Sequence, residues 1–312
     1  MSLWRPHRAA SKSVASDNDD LRNISDTARW VAIYRAIESD RPDALFHDPF
    51  ARRLAGERGE RIAETMEFAN RHAWSFVART VVFDRLIEDS IASGADMVVN
   101  LAAGLDTRPY RMALPANLPW IEVDLPGLLA YKIAVLANET PRCRLERVAL
   151  DLANVGARRD LFNRLSQEAS RVLLITEGLV VYLSDQEAVS LAEDLAGTPT
   201  FHRWALDMVS PALMQRMQKS GSLRSLEQAG APLKFAPEEG PAFFERHGWA
   251  LVDVQSMLHT AARLKRLSFG MRLIALLPDS KGRIARSPWG GVCLFERTWV
   301  RATSISDSRS SN

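Results

Sequence analysis

From Met97 onward the chain repeats one device: an apolar run fit for a strand, closed abruptly by glycine or a carboxylate, then a helical stretch. The strand candidates are MVVNLAA (97–103), PWIEVDL (119–125), RVAL (147–150), RVLLITEGL (171–179) and TFHRWALDMV (200–209). WALVDVQSM (249–257) and GGVCLFER (290–297) follow later. Helical stretches, notably PGLLAYKIAVLANE and SDQEAVSLAEDLAG, separate the early ones. Apolar strands joined by helical crossovers predict an α/β fold with a mostly parallel sheet covered on both faces. With 312 residues, 46% of them hydrophobic, the chain can bury a sizeable core.

The flanks divide the chain further. Residues 21–95 read as a helical N-terminal extension to a single domain spanning 21–300. In it, SDTARWVAIYRAIESD carries an N-cap signal and apolar Trp30, Ile33 and Ile37. RPDALFHDPF is a turn fixed by Asp48-Pro49. HAWSFVARTVVFDRLIEDSIASG is amphipathic, with the stripe Phe76, Thr80, Phe83, Ile87, Ile91, and Gly94 closes it. Residues 96–209 form the cofactor-binding core, 210–245 a helical insertion suited to a lid, and 246–300 the last strands. The tails, 1–20 and 301–312, have the composition of disorder.

Charge narrows the partners. Forty basic and 38 acidic residues give +2, which argues against a global field for nucleic acid or membrane. From Ala261 to Arg286 seven basic residues face one acid. That segment is either a solvated surface or a docking surface for an anionic partner. Cys143 and Cys293 lie far apart without metal spacing, so no metal is expected and both read as buried thiols. With no signal-like block and no apolar run of membrane length, a soluble cytoplasmic protein is expected, a monomer or weak homo-oligomer.

Ligands of open α/β sheets bind beyond the carboxyl ends of the strands. Four consecutive strands end in Ala103-Gly104, Asp124-Leu125, Asp151-Leu152 and Glu177-Gly178. Gly104 admits close backbone approach, and Asp106 or Thr107 can cap the helix that begins near Pro109. Asp124 follows Gly104 by twenty residues, the spacing at which an acid accepts both hydroxyls of a ribose. Asp151 and the Leu152 amide suit an adenine edge. A single acid after a strand is commonly only a cap, but four strand ends carrying Gly, Asp, Asp and Glu to one rim read as a site. Arg79 lies on the apolar face of its helix, three residues after Phe76 and four before Phe83. It either snorkels at the core's edge or clamps a ligand carboxylate. A dinucleotide would call for G-x-G-x-x-G, whereas AAGLDTRPY has one glycine, and Asp106 would repel phosphate. A phosphate-free nucleoside with a positive centre fits better, as in S-adenosylmethionine.

At these residues the chain resembles the leucine carboxyl methyltransferase-like family of S-adenosylmethionine-dependent methyltransferases, closest to a bacterial polyketide-type O-methyltransferase branch. RAIESDRPDALFHDPFA, RTVVFD, VNLAAGLDTRPYRM, IEVDLP, LDL and TEGLVVYL carry the resemblance, in order, across residues 25–185. It implies a class I methyltransferase fold: a seven-stranded, Rossmann-like sheet with its last strand antiparallel, a helical N-terminal extension and a lid. It further implies that Arg79 holds the methionine carboxylate and that Ala103, Gly104 and Asp106 line the cofactor. Asp124 would take the ribose, Asp151 and Leu152 the adenine, and Glu177 the amino-acid portion, with Leu125 and Gly178 also binding the cofactor. Tyr182 would contact the acceptor. The chain departs from the family's NLGAG at Ala102, which crowds that loop.

The expected reaction is direct methyl transfer to an oxygen of a small polyketide-like or carboxylate acceptor, leaving S-adenosylhomocysteine. A carboxylate needs no general base, whereas a phenol or alcohol does. Competing readings are a protein carboxyl methyltransferase with a narrow slot for a chain terminus, a nucleotide-dependent oxidoreductase, and a binding protein without turnover. His72, His202 and His247 read as structural or surface residues.

Overall fold

The computed structural model describes residues 24–298, apart from Met66, Gly221, Ser222 and Ala229. The tails expected at 1–20 and 301–312 lie outside the described residues.

Three helices come first: α1 (Ile24–Ser39), α2 (Ala51–Thr65) and α3 (Glu67–Ala92). The strands are β1 (Met97–Leu101), β2 (Pro119–Asp124), β3 (Arg144–Ala149), β4 (Val172–Thr176), β5 (Phe201–Val209), β6 (Trp249–Ser256) and β7 (Gly290–Arg297). Between them lie α4 (Arg108–Arg111), α5 (Pro126–Val135), α6 (Val155–Ser166) and α7 (Asp185–Ala196). The late helices are α8 (Pro211–Lys219), α9 (Arg224–Gln228), α10 (Met257–Arg263) and α11 (Phe269–Ile274). All seven strands form one sheet in the order β3-β2-β1-β4-β5-β7-β6. Neighbours from β3 through β5 pair in parallel, and β7 runs antiparallel to both β5 and β6.

The two faces of the sheet follow from residue alternation. In β1, Val98 turns toward α3, where Val82, Phe83, Leu86 and Ile87 pack with Trp120, Leu173 and Ile175. Val99 turns the other way, toward Leu161, Phe162 and Leu165 of α6 and Leu191 and Leu195 of α7. Thus α3, though it ends the segment expected as an extension, is one of the sheet's covering layers. Only α1 and α2 pack outside it, on α5, through Ala32, Ile33, Leu54, Ala55 and Leu128. Ile37, counted in the α1 stripe, is 47% exposed.

Local chemistry places several boundaries. Ser184 caps α7 in a reciprocal box with Glu187, Asn154 caps α6, and Pro126 opens α5. β4 stops at Thr176 rather than running to 179, because Gly178 turns the backbone to φ +70° and a short 3₁₀ turn, Val180–Tyr182, follows. β3 starts earlier than its apolar run. It is an edge strand, so it tolerates the exposed Arg144 and the half-buried Glu146 and Arg147. Both cysteines are buried free thiols.

Candidate active site

At the topological switch, β1 is flanked by β2 on one side and β4 on the other. The carboxyl ends of β1–β5 open there into one cleft of about 1440 Å³. Every residue expected in the site lines it: Arg79, Ala103, Gly104, Asp106, Asp124, Leu125, Asp151, Leu152, Glu177, Gly178 and Tyr182.

The first tip is a turn built around backbone donors. After Leu101 the chain bends through Ala102 (φ +55°) and Gly104 (φ +52°). Asp124 braces that turn: its Oδ2 accepts from the Gly104 N–H at 2.6 Å and its Oδ1 from the Leu125 N–H at 2.7 Å. Burial pushes the Asp124 carboxyl up from its ordinary value, against those two hydrogen bonds. Asp106 is tied rather than free. It accepts from Asn100 Nδ2 at 2.8 Å, from the Arg108 N–H at 3.0 Å and from Arg108 Nη1 at 3.2 Å. Burial would raise its carboxyl, but the charges of Arg108, Lys132, Arg111 and Arg35 outweigh that and hold it at about 2. Asp106 thus accepts at the start of α4, while Thr107 spends its hydroxyl on Asp48 at 2.6 Å.

Asp48 ties that loop to α1. Arg35 Nε donates to it at 2.9 Å and Arg35 Nη2 to the Leu105 carbonyl at 2.5 Å. The HDPF turn is therefore a structural clamp that holds α1 against the loop after β1. At the third tip, Asp151 is exposed on the rim and accepts from the Ala153 N–H at 2.9 Å.

Arg79 reaches the fourth tip. Its Nη1 meets Asp207 Oδ2 at 2.9 Å and its Nε lies 3.0 Å from Glu177 Oε1. Its Nη2 makes no hydrogen bond among the described residues. Burial opposes the Arg79 charge, yet Asp207 and Glu177 more than offset it and raise its pKa. The side chain is neither a snorkelling cation nor a free clamp: it is a paired guanidinium with one terminal nitrogen to spare.

Asp207 escaped the sequence reading. It sits inside WALDMV, which reads as strand interior. The register pairs Thr176 with Leu206, so β5 outruns β4 and Asp207 comes level with Glu177. Its Oδ1 accepts from the Gly178 N–H at 2.6 Å. A second omission is the network behind Glu177. Glu177 Oε2 accepts from Arg108 Nη1 at 2.7 Å. Arg108 Nε and both Arg111 terminal nitrogens bind Asp84 at 2.7–2.8 Å. Two arginines three apart in one helical turn, R-P-Y-R, are the signal that called for such an acid. Tyr182 is half-buried beside Arg79, and burial raises its phenol above the ordinary value. Much of the remaining lining is apolar, including Trp30, Trp74, Leu213, Met217, Met257 and Trp289. His72 and His259 also line the cleft, whereas His202 lies within β5 as its strand pattern implied.

Residues 28–196 match the family described as leucine carboxyl methyltransferase. The chain belongs to that family of S-adenosylmethionine-dependent methyltransferases. That cofactor and reaction class come with membership. A provisionally named S-adenosyl-L-methionine-dependent methyltransferase of Streptomyces coelicolor is 33% identical over 269 residues, covering 81% of this chain and 90% of its own. One of Parafrankia is 31% identical over 258 residues, covering 78% and 82%. Two crystal structures share the fold. One is a DUF574 family protein of Streptomyces avermitilis, with a TM-score of 0.55 at 15% identity, covering 88% of this chain and 97% of that one. The other is a provisionally assigned methyltransferase of Thermobifida fusca, with a TM-score of 0.54 at 16% identity, covering 91% and 97%. The sheet of this methyltransferase, with its one antiparallel strand, is the class I arrangement.

Proposed function

We propose that this methyltransferase methylates an oxygen of a sizeable apolar small molecule, with a carboxylate as the preferred acceptor. The observation that carries this reading is the cleft of about 1440 Å³, lined by carboxylates at the strand tips and by many apolar side chains from other elements. Pockets for one drug-sized ligand span roughly 300–1,000 Å³, so an acceptor has room beside a nucleoside.

The residues suit the cofactor. Asp124 offers its remaining lone pairs to a ribose, with burial sharpening its need for donors. Arg79 Nη2 is the nitrogen for a carboxylate. Counting Asp84, Asp106, Glu177 and Asp207 against Arg79, Arg108 and Arg111, the cluster carries one excess negative charge, which favours a cationic ligand. When bound, S-adenosylmethionine supplies a methyl group already activated on sulfur. The chain's part is to align and to exclude water. Tyr182, its phenol raised by burial, stays protonated at neutral pH. It orients the acceptor oxygen as a hydrogen-bond donor and does not act as base. That favours an acceptor already ionised at neutral pH.

A screen with methyl-labelled S-adenosylmethionine tests this reading. Label is expected in base-labile esters of long-chain or aromatic acids. Exclusive labelling of a peptide C-terminus would replace this reading with protein carboxyl methylation. Labelling of phenols alone would point to His72 or His259 as base.

A further inference from the structure

The chain's charge balances overall but not along its length. Lys265, Arg272, Lys281, Arg283 and Arg286 are exposed, and none makes an ion pair among the described residues. Arg266, by contrast, is held by Glu38 and Asp43. The same segment carries large apolar side chains in the open. Phe269 is 77% exposed, Leu273 55%, Leu276 80%, Leu277 64% and Ile284 55%. Single exposed apolar residues are ordinary, but five within one short stretch mark an interaction surface. Backbone bonds from Leu276 to Leu273 and from Leu277 to Ile274 continue the turns of α11, so Phe269, Leu273, Leu276 and Leu277 belong to one projection, and Ile284 stands in the loop that follows. Met271, Ile274, Leu277 and Pro278 of that projection also line the cleft.

We propose that α11 and the loop through Arg286 dock on an anionic lipid bilayer, with the cleft opening at the membrane interface. Cations interleaved with protruding apolar side chains match such a surface on both counts: the cations meet lipid phosphates and the apolar groups enter the acyl boundary. A second copy of the chain would set five unpaired cations against five more. The lone acid of the segment, Asp279, is turned inward, 3.8 Å from His259 and on the cleft wall. The near-zero net charge had argued against a membrane partner; segregation of charge, not its sum, decides peripheral binding. This proposal goes beyond the cofactor site and stands whatever the acceptor is.

Flotation of the full chain with vesicles tests it, using phosphatidylcholine alone and the same lipid with about one-third phosphatidylglycerol. The protein should float only with the anionic vesicles, and bound protein should fall about fivefold or more on raising salt to about 0.5 M. Phe269→Ser/Leu276→Ser and Arg283→Glu/Arg286→Glu should each weaken binding about tenfold. Calorimetric affinity for S-adenosylmethionine should stay unchanged in both, which separates failure here from failure at the cofactor site. No flotation, or equal flotation with both lipids, would overturn the proposal. So would a solution dimer that Phe269→Ser/Leu276→Ser dissociates.

Discussion

Ala102 is the residue at which this chain pays for its departure from glycine. Its φ of +55° lies in the left-handed region, which costs an L-residue roughly 1–2 kcal/mol. Glycine there loses part of that gain to chain entropy. Ala102→Gly should therefore raise the stability by about 0.5–1 kcal/mol in urea unfolding without weakening cofactor binding. Asp106 gives a pH signature. Its folded pKa of about 2 lies below the ordinary 3.8, so its stabilisation is complete above pH 4 and lost as pH falls toward 2. Asp84, also lowered once Arg111 and Arg108 outweigh its burial, acts in the same direction. Asp124 is raised, so it works the opposite way and offsets part of the loss. Asp106→Asn should cost on the order of 2 kcal/mol at neutral pH and flatten the fall in urea midpoint between pH 4 and 2.

Between elements, two joints tie distant segments together. One is Asp207, which links β5 to α3 through Arg79 and to the β4 tip through the Gly178 N–H. Asp207→Ala leaves both donors short of a partner and should cost about 3–5 kcal/mol in denaturant unfolding, with Asp207→Asn costing less because its oxygen still accepts. The other is Gly240, at the start of the 3₁₀ turn that closes the insertion. A Cβ there would stand 2.0 Å from the Gly282 carbonyl oxygen, on a backbone at φ +59°. Gly240→Ala should lower stability by about 2–4 kcal/mol, visible as a drop in Tm. The strands were legible because burial on two faces forces apolar runs, as in Val172–Ile175. Their tips were legible because glycine or a carboxylate ends each of the first four runs. Asp207 was not, since its level depends on how far β5 outruns β4, and register is a property of pairs. The roles of Asp84 and Asp48 were hidden for the same reason. Each acid gains its meaning from an arginine 24 or 13 residues away, as Arg108–Asp84 and Arg35–Asp48 show.

For the molecule as a whole, the sheet fixes one end of the cleft and the late helices supply the other. The insertion's Met217 and Leu226, the strap before β7 with Trp289, and Trp30 of α1 enclose the space over the strand tips. The 210–245 segment was expected as the lid, but residues 257–290 contribute as much of the wall, and their mixed basic and apolar sequence concealed it. The proposed site holds a cationic nucleoside on the tips of β1–β5, braced by Asp124. Isothermal titration of the full chain with S-adenosylmethionine tests it most directly, with Asp124→Asn in parallel and NAD as the control. One saturable site is expected on the native chain, with a loss of about tenfold or more in affinity for Asp124→Asn and no heat from NAD. Equal affinity in the native chain and Asp124→Asn, or saturable binding of NAD, would contradict it.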